Sequence, residues 1–273
     1  MPISIGFHDV GPDTSGLSNS GRKSVVYTLG LHTFQECLAA IAQRLGPDSA
    51  GRVDQVALRA EYVFLTFDDG ESGAYTYAAP ELEKLGWRGH FFVTTNLIGK
   101  PGFLDAQKIK ELHQRGHLIG SHSSTHPERM SHLGWKGLLR EWRDSCAVLS
   151  DLTGNPITVA SVAGGYYSRK VAEAAAASGL SRLFTSEPTA KVTVVNGCWV
   201  LGRYTVRRST PVSEVVAIAA GERFPRWKQA AAWFSKGLVK TTMGESYISL
   251  RRSLVGSDTR SSLNDWRTNT TES

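Results

Sequence analysis

The sequence predicts an α/β fold built on a parallel sheet, and three observations carry that expectation. Strand-like and helix-like hydrophobic patterns alternate along most of the chain. Strand candidates such as "VFLTF" at 63–67 are apolar at nearly every position, as strands covered on both faces are. The length of 273 residues suits one (β/α) barrel as well as two small domains. Repeated β-then-α units imply parallel strands joined by right-handed crossovers.

Taken in order, "ISIGF" is the first strand and leads into His8. After a polar, glycine-containing stretch, Phe34, Leu38, Ile41 and Leu45 mark one helix face. The strand at 62–67 comes next, then a helix near 78–85 that stops at Gly86, because glycine ends helices without a Cβ penalty. "HFFVTT" is strand-like; Asp105 caps a helix through Ile109 and Leu112 that ends at Gly116, and "HLIGS" returns as a strand. Trp135, Leu138, Leu139, Trp142, Cys146 and Leu149 keep helical spacing until Gly154 and Pro156. "ITVASV" is a strand candidate, after which Ser168 caps "RKVAEAAAAS" and Gly179 ends it. "RLFTS" and "CWVLGRYTV" are further strands, and Pro211 opens a helix through Val212, Val215 and Val216.

Composition narrows the function classes. Apolar content of 41% and charged content of 21% exclude a disordered chain, and no apolar run reaches the ~18 residues of a spanning helix. The N-terminus lacks the basic start and apolar stretch of a signal peptide, so a cytoplasmic location is expected. Cys37, Cys146 and Cys198 are odd in number and far apart, which fits reduced packing thiols rather than a disulfide framework or zinc knuckle. Of the net charge of +6, four units come from residues 221–273, which hold nine Lys/Arg against five Asp/Glu. The nearly balanced remainder speaks against a nucleic-acid groove across the fold.

His8, Asp68, Asp69 and His122 each fall just past a strand candidate, at the carboxyl ends where such folds carry their reactive groups. Adjacent carboxylates repel, and burial raises the cost of ionising them, so Asp68 and Asp69 call for a cation or a proton; Asp-Asp-Gly is also an ordinary turn sequence. His122 and His126 are four apart, which predicts two imidazoles on one side of a single helical turn. With Asp69 they form two histidines and one carboxylate, the ligand set of an open catalytic metal site.

These stretches resemble one family. "TFDDG" at 66–70 and "RGHLIGSHSSTH" at 115–126, with a strand and helix between them, resemble the polysaccharide deacetylases of carbohydrate esterase family four, which share a nodulation-type deacetylase domain. The resemblance implies a distorted, incomplete (β/α) barrel over residues 1–220. It implies that Asp69, His122 and His126 hold a divalent metal and that Asp68 is the general base. "GFHDV" is similar to the circularly permuted branch that deacetylates exported poly-N-acetylglucosamine, which makes His8 the catalytic acid; no histidine follows His132. The chain departs from the family at "SVAGGYYS", where Ser161 stands at the usual arginine position, Ala163 at the proline and Gly164 at the aromatic. Gly164 is then the oxyanion candidate through its backbone N–H, and Tyr166 and Tyr167 are candidates to line the sugar site. What steadies Asp68 stays open, with Arg203 and Arg207 as possible substitutes.

The implied activity is metal-dependent removal of N-acetyl groups from an N-acetylhexosamine-containing saccharide, releasing acetate. Zinc is the first choice of ion, and Fe, Co or Ni suit the same ligands. Two alternatives stay open: a hydrolase of another C–N bond, such as a small amide or cyclic imide, and a catalytically silent saccharide-binding protein. Iron oxygenases share the ligand count but not the alternating β and α units.

In "FPRWKQAAAWFSKGLVK", Trp227, Ala231, Phe234 and Leu238 share a helical face while Lys228, Lys236 and Lys240 lie elsewhere. This marks residues 221–255 as a basic amphipathic helical extension, packed on its own domain or in peripheral contact with a membrane. Residues 256–273 are polar and predicted to form a flexible tail.

Overall fold

The computed structural model describes residues 1–13, 26–55 and 62–235. Its strands are β1 (Ile3–Phe7), β2 (Asp9–Gly11), β3 (Thr28–Gly30), β4 (Val63–Phe67), β5 (His90–Val93), β6 (Leu118–Ser121), β7 (Val159–Ser161), β8 (Arg182–Phe184), β9 (Val192–Val195), β10 (Cys198–Leu201) and β11 (Tyr204–Thr205). The helices are α1 (Leu31–Leu45), α2 (Ala79–Lys84), α3 (Ala106–Gln114), α4 (Trp135–Thr153), α5 (Arg169–Ala177) and α6 (Val212–Ala219), followed by a helical segment at 223–235.

Nine strands form one sheet in the order β11-β1-β4-β5-β6-β7-β8-β10-β9, and β2 and β3 pair separately. All pairs in the large sheet are parallel except β9 with β10. The chain itself dictates the curl. β10 and β11 lie toward opposite ends of the strand order, yet only Gly202 and Arg203 separate them, a link of about 10 Å at full stretch. The sheet must therefore bend round until its two ends nearly meet, which gives the distorted, incomplete (β/α) barrel. Gly202 is needed there because a Cβ would lie 2.4 Å from the Thr189 carbonyl oxygen. For this reason "CWVLGRYTV" is two strands rather than one.

Burial falls into two layers. Phe64, Phe92, Leu118, Val159, Phe184 and Leu201 fill the inside of the curl, while a larger cluster packs the outer face of the sheet against the helices. Side chains alternate along a strand, so Phe64, Thr66 and, just past the end of β4, Asp68 share the inner side. Two buried histidines are structural. His90 Nδ1 contacts the Leu65 carbonyl at 2.9 Å and its Nε2 accepts from Val53 N–H. His117 Nδ1 accepts from Gly89 N–H, and its Nε2 lies 2.8 Å from Glu83.

Several expectations need correction or limits. Ser168 sits at the N-cap of α5, but its side chain makes no capping bond. The hairpin joining β9 to β10 was not read from the sequence, although its Asn196-Gly197 turn, with φ of 49° and 84°, is the favoured pair for such a turn. The three cysteines are free and buried, as expected. The helical segment at 223–235 does not turn its aromatic face into the domain: Phe224, Trp227 and Phe234 are exposed. Leu238, the remainder of the extension to 255 and the tail at 256–273 lie outside the described residues. Among the described residues no helix is long and apolar enough to cross a membrane.

Candidate active site

The site forms where β1, β4, β6 and β7 end. Asp69 follows β4 with a left-handed φ of 68°, a conformation Asp tolerates better than most residues, and Gly70 continues it at 82°. This turn leaves Asp68 on the inner side and swings Asp69 toward β6. His122 leaves the end of β6, and His126 returns from a loop. Sequence spacing placed the two imidazoles on one helical turn; instead residues 122–127 are non-helical, with Ser123 and His126 both left-handed at φ of 68° and 54°. Local hydrogen bonds replace the helix: Ser123 N–H donates to Ser121 Oγ, and His126 N–H donates to Ser123 Oγ. Glu141 on α4 then holds the loop from behind, accepting from Ser124 N–H, Thr125 N–H and Thr125 Oγ1 at 2.7–2.9 Å.

The result is a convergent donor set. Asp69 Oδ1 lies 3.2 Å from Nε2 of His122 and 3.2 Å from Nε2 of His126. One ligand atom from each of the three residues lies within 4.8 Å of the others. His122 is buried, and its Nδ1 lies 3.1 Å from the Ser161 carbonyl oxygen. A hydrogen on Nδ1 satisfies that carbonyl and leaves the Nε2 lone pair facing Asp69. Asp69 Oδ1 is enclosed without a hydrogen-bond donor of its own among the described residues. An enclosed carboxylate oxygen without a donor, facing two imidazole nitrogens, fits a divalent cation, with zinc, iron, cobalt and nickel all compatible with the donor types.

Arg203 answers what steadies Asp68. Its guanidinium donates to Asp68 Oδ1 and Oδ2 at 2.7 Å each, to Ser161 Oγ at 2.7 Å, to Thr66 Oγ1 at 3.1 Å and to the Thr185 carbonyl at 2.9 Å. These bonds use all five N–H donors of an arginine, in a side chain that is 2% exposed. The arginine expected from the loop after β7 thus arrives from the link between β10 and β11, and Ser161, at the vacated position, accepts one of its bonds. Arg207, the other candidate, instead lies over the Tyr27 ring at 5.9 Å. Burial alone would raise the Asp68 pKa, but Arg203 and then His122 outweigh it and hold the group at about 2. Asp69 is likewise held well below the usual carboxylate range: burial opposes this, and contacts with His122 and His126 overcome it. Both carboxylates are therefore ionised at neutral pH.

His8 stands beside Asp68, because Phe7 and Phe67 are register partners in β1 and β4. Its ring packs on Tyr27 at 4.5 Å, and its enclosed Nδ1 has no hydrogen-bond partner among the described residues. Burial lowers its pKa, and the fields of Asp69 and Asp68 only partly restore it. Gly164 has φ of 68°, and a Cβ there would lie 2.6 Å from the Glu128 carbonyl oxygen, so this loop packs directly on the one carrying His126. Tyr166 receives the Arg129 guanidinium over its ring at 5.6 Å, while Tyr167 packs partly against the core.

Sequence reading missed three acidic residues near the site. Glu141 carried a visible signal: a carboxylate on the apolar face shared by Leu138, Trp142 and Ser145. Asp9 and Glu71, beside the metal-ligand candidates, are raised to about 6 and about 8, foremost by burial and, for Glu71, also by the Asp9 and Asp69 carboxylates.

Comparison with known proteins agrees with this geometry. Residues 55–183 match the family model described as polysaccharide deacetylase. YxkH of Bacillus subtilis (strain 168) is 31% identical over 128 residues, covering 47% of this chain and 46% of YxkH. A chitin deacetylase of Arthroderma benhamiae is 34% identical over 94 residues, 33% of this chain and 24% of that protein. The chain thus spans less than half the length of these curated relatives. The deacetylase PplD of Streptococcus pyogenes, solved in complex with acetate, shares the fold at a TM-score of 0.64 and 18% identity, over 80% of this chain and 97% of that one. The family match includes Asp68, Asp69, His122 and His126, so the part of the chain that carries the site is similar to a polysaccharide deacetylase domain.

Proposed function

We propose that this chain is a metal-dependent hydrolase that removes N-acetyl groups from an N-acetylhexosamine-containing saccharide, releasing acetate and a free amino sugar. The observation that carries the reading is the convergence of Asp69 Oδ1 with Nε2 of His122 and His126 beside the ionised Asp68. Asp69, His122 and His126 would hold one divalent ion, zinc first. When bound, such an ion supplies Lewis acidity, polarising an acyl oxygen and acidifying water.

The chain's own groups do the rest. As water adds to the acetyl carbon, a C–O bond forms and Asp68 accepts the water proton. A carboxylate held at about 2 is always ionised but is a weak base, so Asp68 works only on water that is already acidified. Arg203 keeps both Asp68 oxygens in one orientation. His8 delivers a proton to the departing nitrogen as the C–N bond breaks. Its lowered pKa makes the protonated form scarcer but a stronger donor. The Gly164 N–H is the backbone donor offered to the developing oxyanion, and Tyr166 and Tyr167 line the approach for the sugar. The early position of His8 supports placement in the circularly permuted branch.

The test is acetate release from N-acetylated chito-oligosaccharides, compared with simple amides and cyclic imides. Turnover of the sugars alone is expected. Turnover confined to the small amides would reassign the acyl substrate, and tight binding of the sugars without acetate would mark a silent saccharide-binding protein.

A further inference from the structure

The helical segment at 223–235 is gripped on one side by polar contacts. Thr205 N–H donates to Gln229 Oε1 at 3.0 Å, and Gln229 Nε2 donates to the Thr205 carbonyl at 3.1 Å. One side chain thus supplies both bonds that a further strand would make to β11, which closes that edge of the sheet. Arg226 Nε donates to Tyr204 Oη at 2.8 Å, and Lys228 Nζ pairs with Glu214 at 3.0 Å. These contacts fix the rotation of the segment about its own axis.

With that rotation fixed, the opposite face looks outward. Phe224, Trp227 and Phe234 are 71%, 65% and 67% exposed, and Ala231 lies on the same face. The Phe224 and Trp227 rings are adjacent, with centroids 6.2 Å apart. Three large aromatic side chains on one face stand mostly clear of the described domain, and contiguous exposed apolar patches mark interaction surfaces. The charge around them selects the partner. Arg223 lies next to Phe224, while Arg226 and Lys228 face Tyr204 and Glu214, and residues 221–273 carry nine Lys/Arg against five Asp/Glu. A two-fold contact with a second copy would bring two surfaces of the same net positive charge together. A surface with negative headgroups over an apolar layer matches both the charge and the aromatics.

We propose that this outward face is a docking surface for an anionic lipid bilayer, with Phe224, Trp227 and Phe234 entering the interface and Arg223, with the net positive charge of this end of the chain, meeting the headgroups. The segment borders a groove of about 330 Å³ that includes Pro188 and Thr189, from the loop after β8. That loop leaves the sheet at the end that carries Asp68 and His122, so docking brings the site's end of the barrel to the membrane surface. The inference is independent of the substrate assignment.

The experiment is co-sedimentation of the full chain with phosphatidylcholine vesicles with and without phosphatidylglycerol, at low and high salt. Binding is expected only with the anionic lipid and is weakened by salt. The triple variant Phe224→Ala/Trp227→Ala/Phe234→Ala is expected to reduce partitioning by about tenfold or more, and Arg223→Glu to reduce it as well. An unchanged unfolding midpoint shows that the variants fold. Absence of binding to anionic vesicles, or binding unaltered in the triple variant, would overturn the proposal. So would a dimer seen by light scattering that the triple variant abolishes, since the face would then belong to a second copy.

Discussion

Replacing Arg203 by Met probes the support of the site most sharply. The substitution keeps much of the side-chain volume and removes the bonds to Asp68, Ser161, Thr66 and Thr185. Asp68, whose side chain is 7% exposed, would stay enclosed without its countercharge. Breaking one partner out of a buried pair costs about 3–5 kcal/mol, and at about 2–4 °C per kcal/mol for a chain near this size the melting temperature should fall by about 6–20 °C. Asp68→Asn removes the charge from the other side, so the double variant should recover part of the loss. A urea-unfolding double-mutant cycle should return a coupling of about 2 kcal/mol or more. Activity should fall beyond the loss of folded protein, because burial is then opposed mainly by His122 and His8 and the Asp68 pKa rises. If the two single costs add to the double cost within about 0.5 kcal/mol, the pairing does not have the energetic role argued here.

Three further outcomes follow from the same geometry. Glu141→Ala removes the acceptor for Ser124 N–H, Thr125 N–H and Thr125 Oγ1, so metal affinity measured by chelator competition should drop by about 10- to 100-fold; unchanged affinity would mean the loop holds His126 unaided. Gly164→Ala forces a Cβ onto a left-handed residue and to 2.6 Å from the Glu128 carbonyl, and should cost about 2 kcal/mol or more in urea unfolding, against less than about 0.5 if the loop simply yields. His90 and His117 are both held at about 4, mainly by burial. Their folded pKa values lie below the unfolded value of about 6.5, so the unfolded chain takes up protons first and stability is lost as pH falls from 6.5 toward 4. The loss is roughly 3 kcal/mol for each histidine, and a urea midpoint that stays flat between pH 7 and 5 would contradict it.

The strand ends were legible because their chemistry is local. An apolar run that stops at Asp68-Asp69-Gly70, and a histidine just past "HLIGS", state where the sheet ends and which groups face outward from it. Helix limits were legible for the same reason: Asp105 caps α3 with its side chain on Lys108 N–H, and Gly154 closes α4 at a left-handed φ of 71°. Long-range relations were not. Arg203 and Arg207 are both basic residues near the end of the strand order, and only the closure through Gly202 shows that Arg203 enters the barrel while Arg207 stays outside on Tyr27. The His122–His126 spacing suggested a helical turn, whereas two left-handed residues bring the same two imidazoles together by a different route. The amphipathic pattern near the C-terminus found the aromatic face but not its direction, which is set by Gln229 gripping an edge strand more than twenty residues away.

One measurement bears most directly on the account: metal stoichiometry and acetate release, determined together on chain stripped by chelation and reloaded with zinc, for the wild type and for Asp69→Ala. The wild type should bind one ion per chain and regain activity on reloading, while Asp69→Ala should lose both. One ion still bound in Asp69→Ala, or acetate released by the stripped chain, would contradict the account.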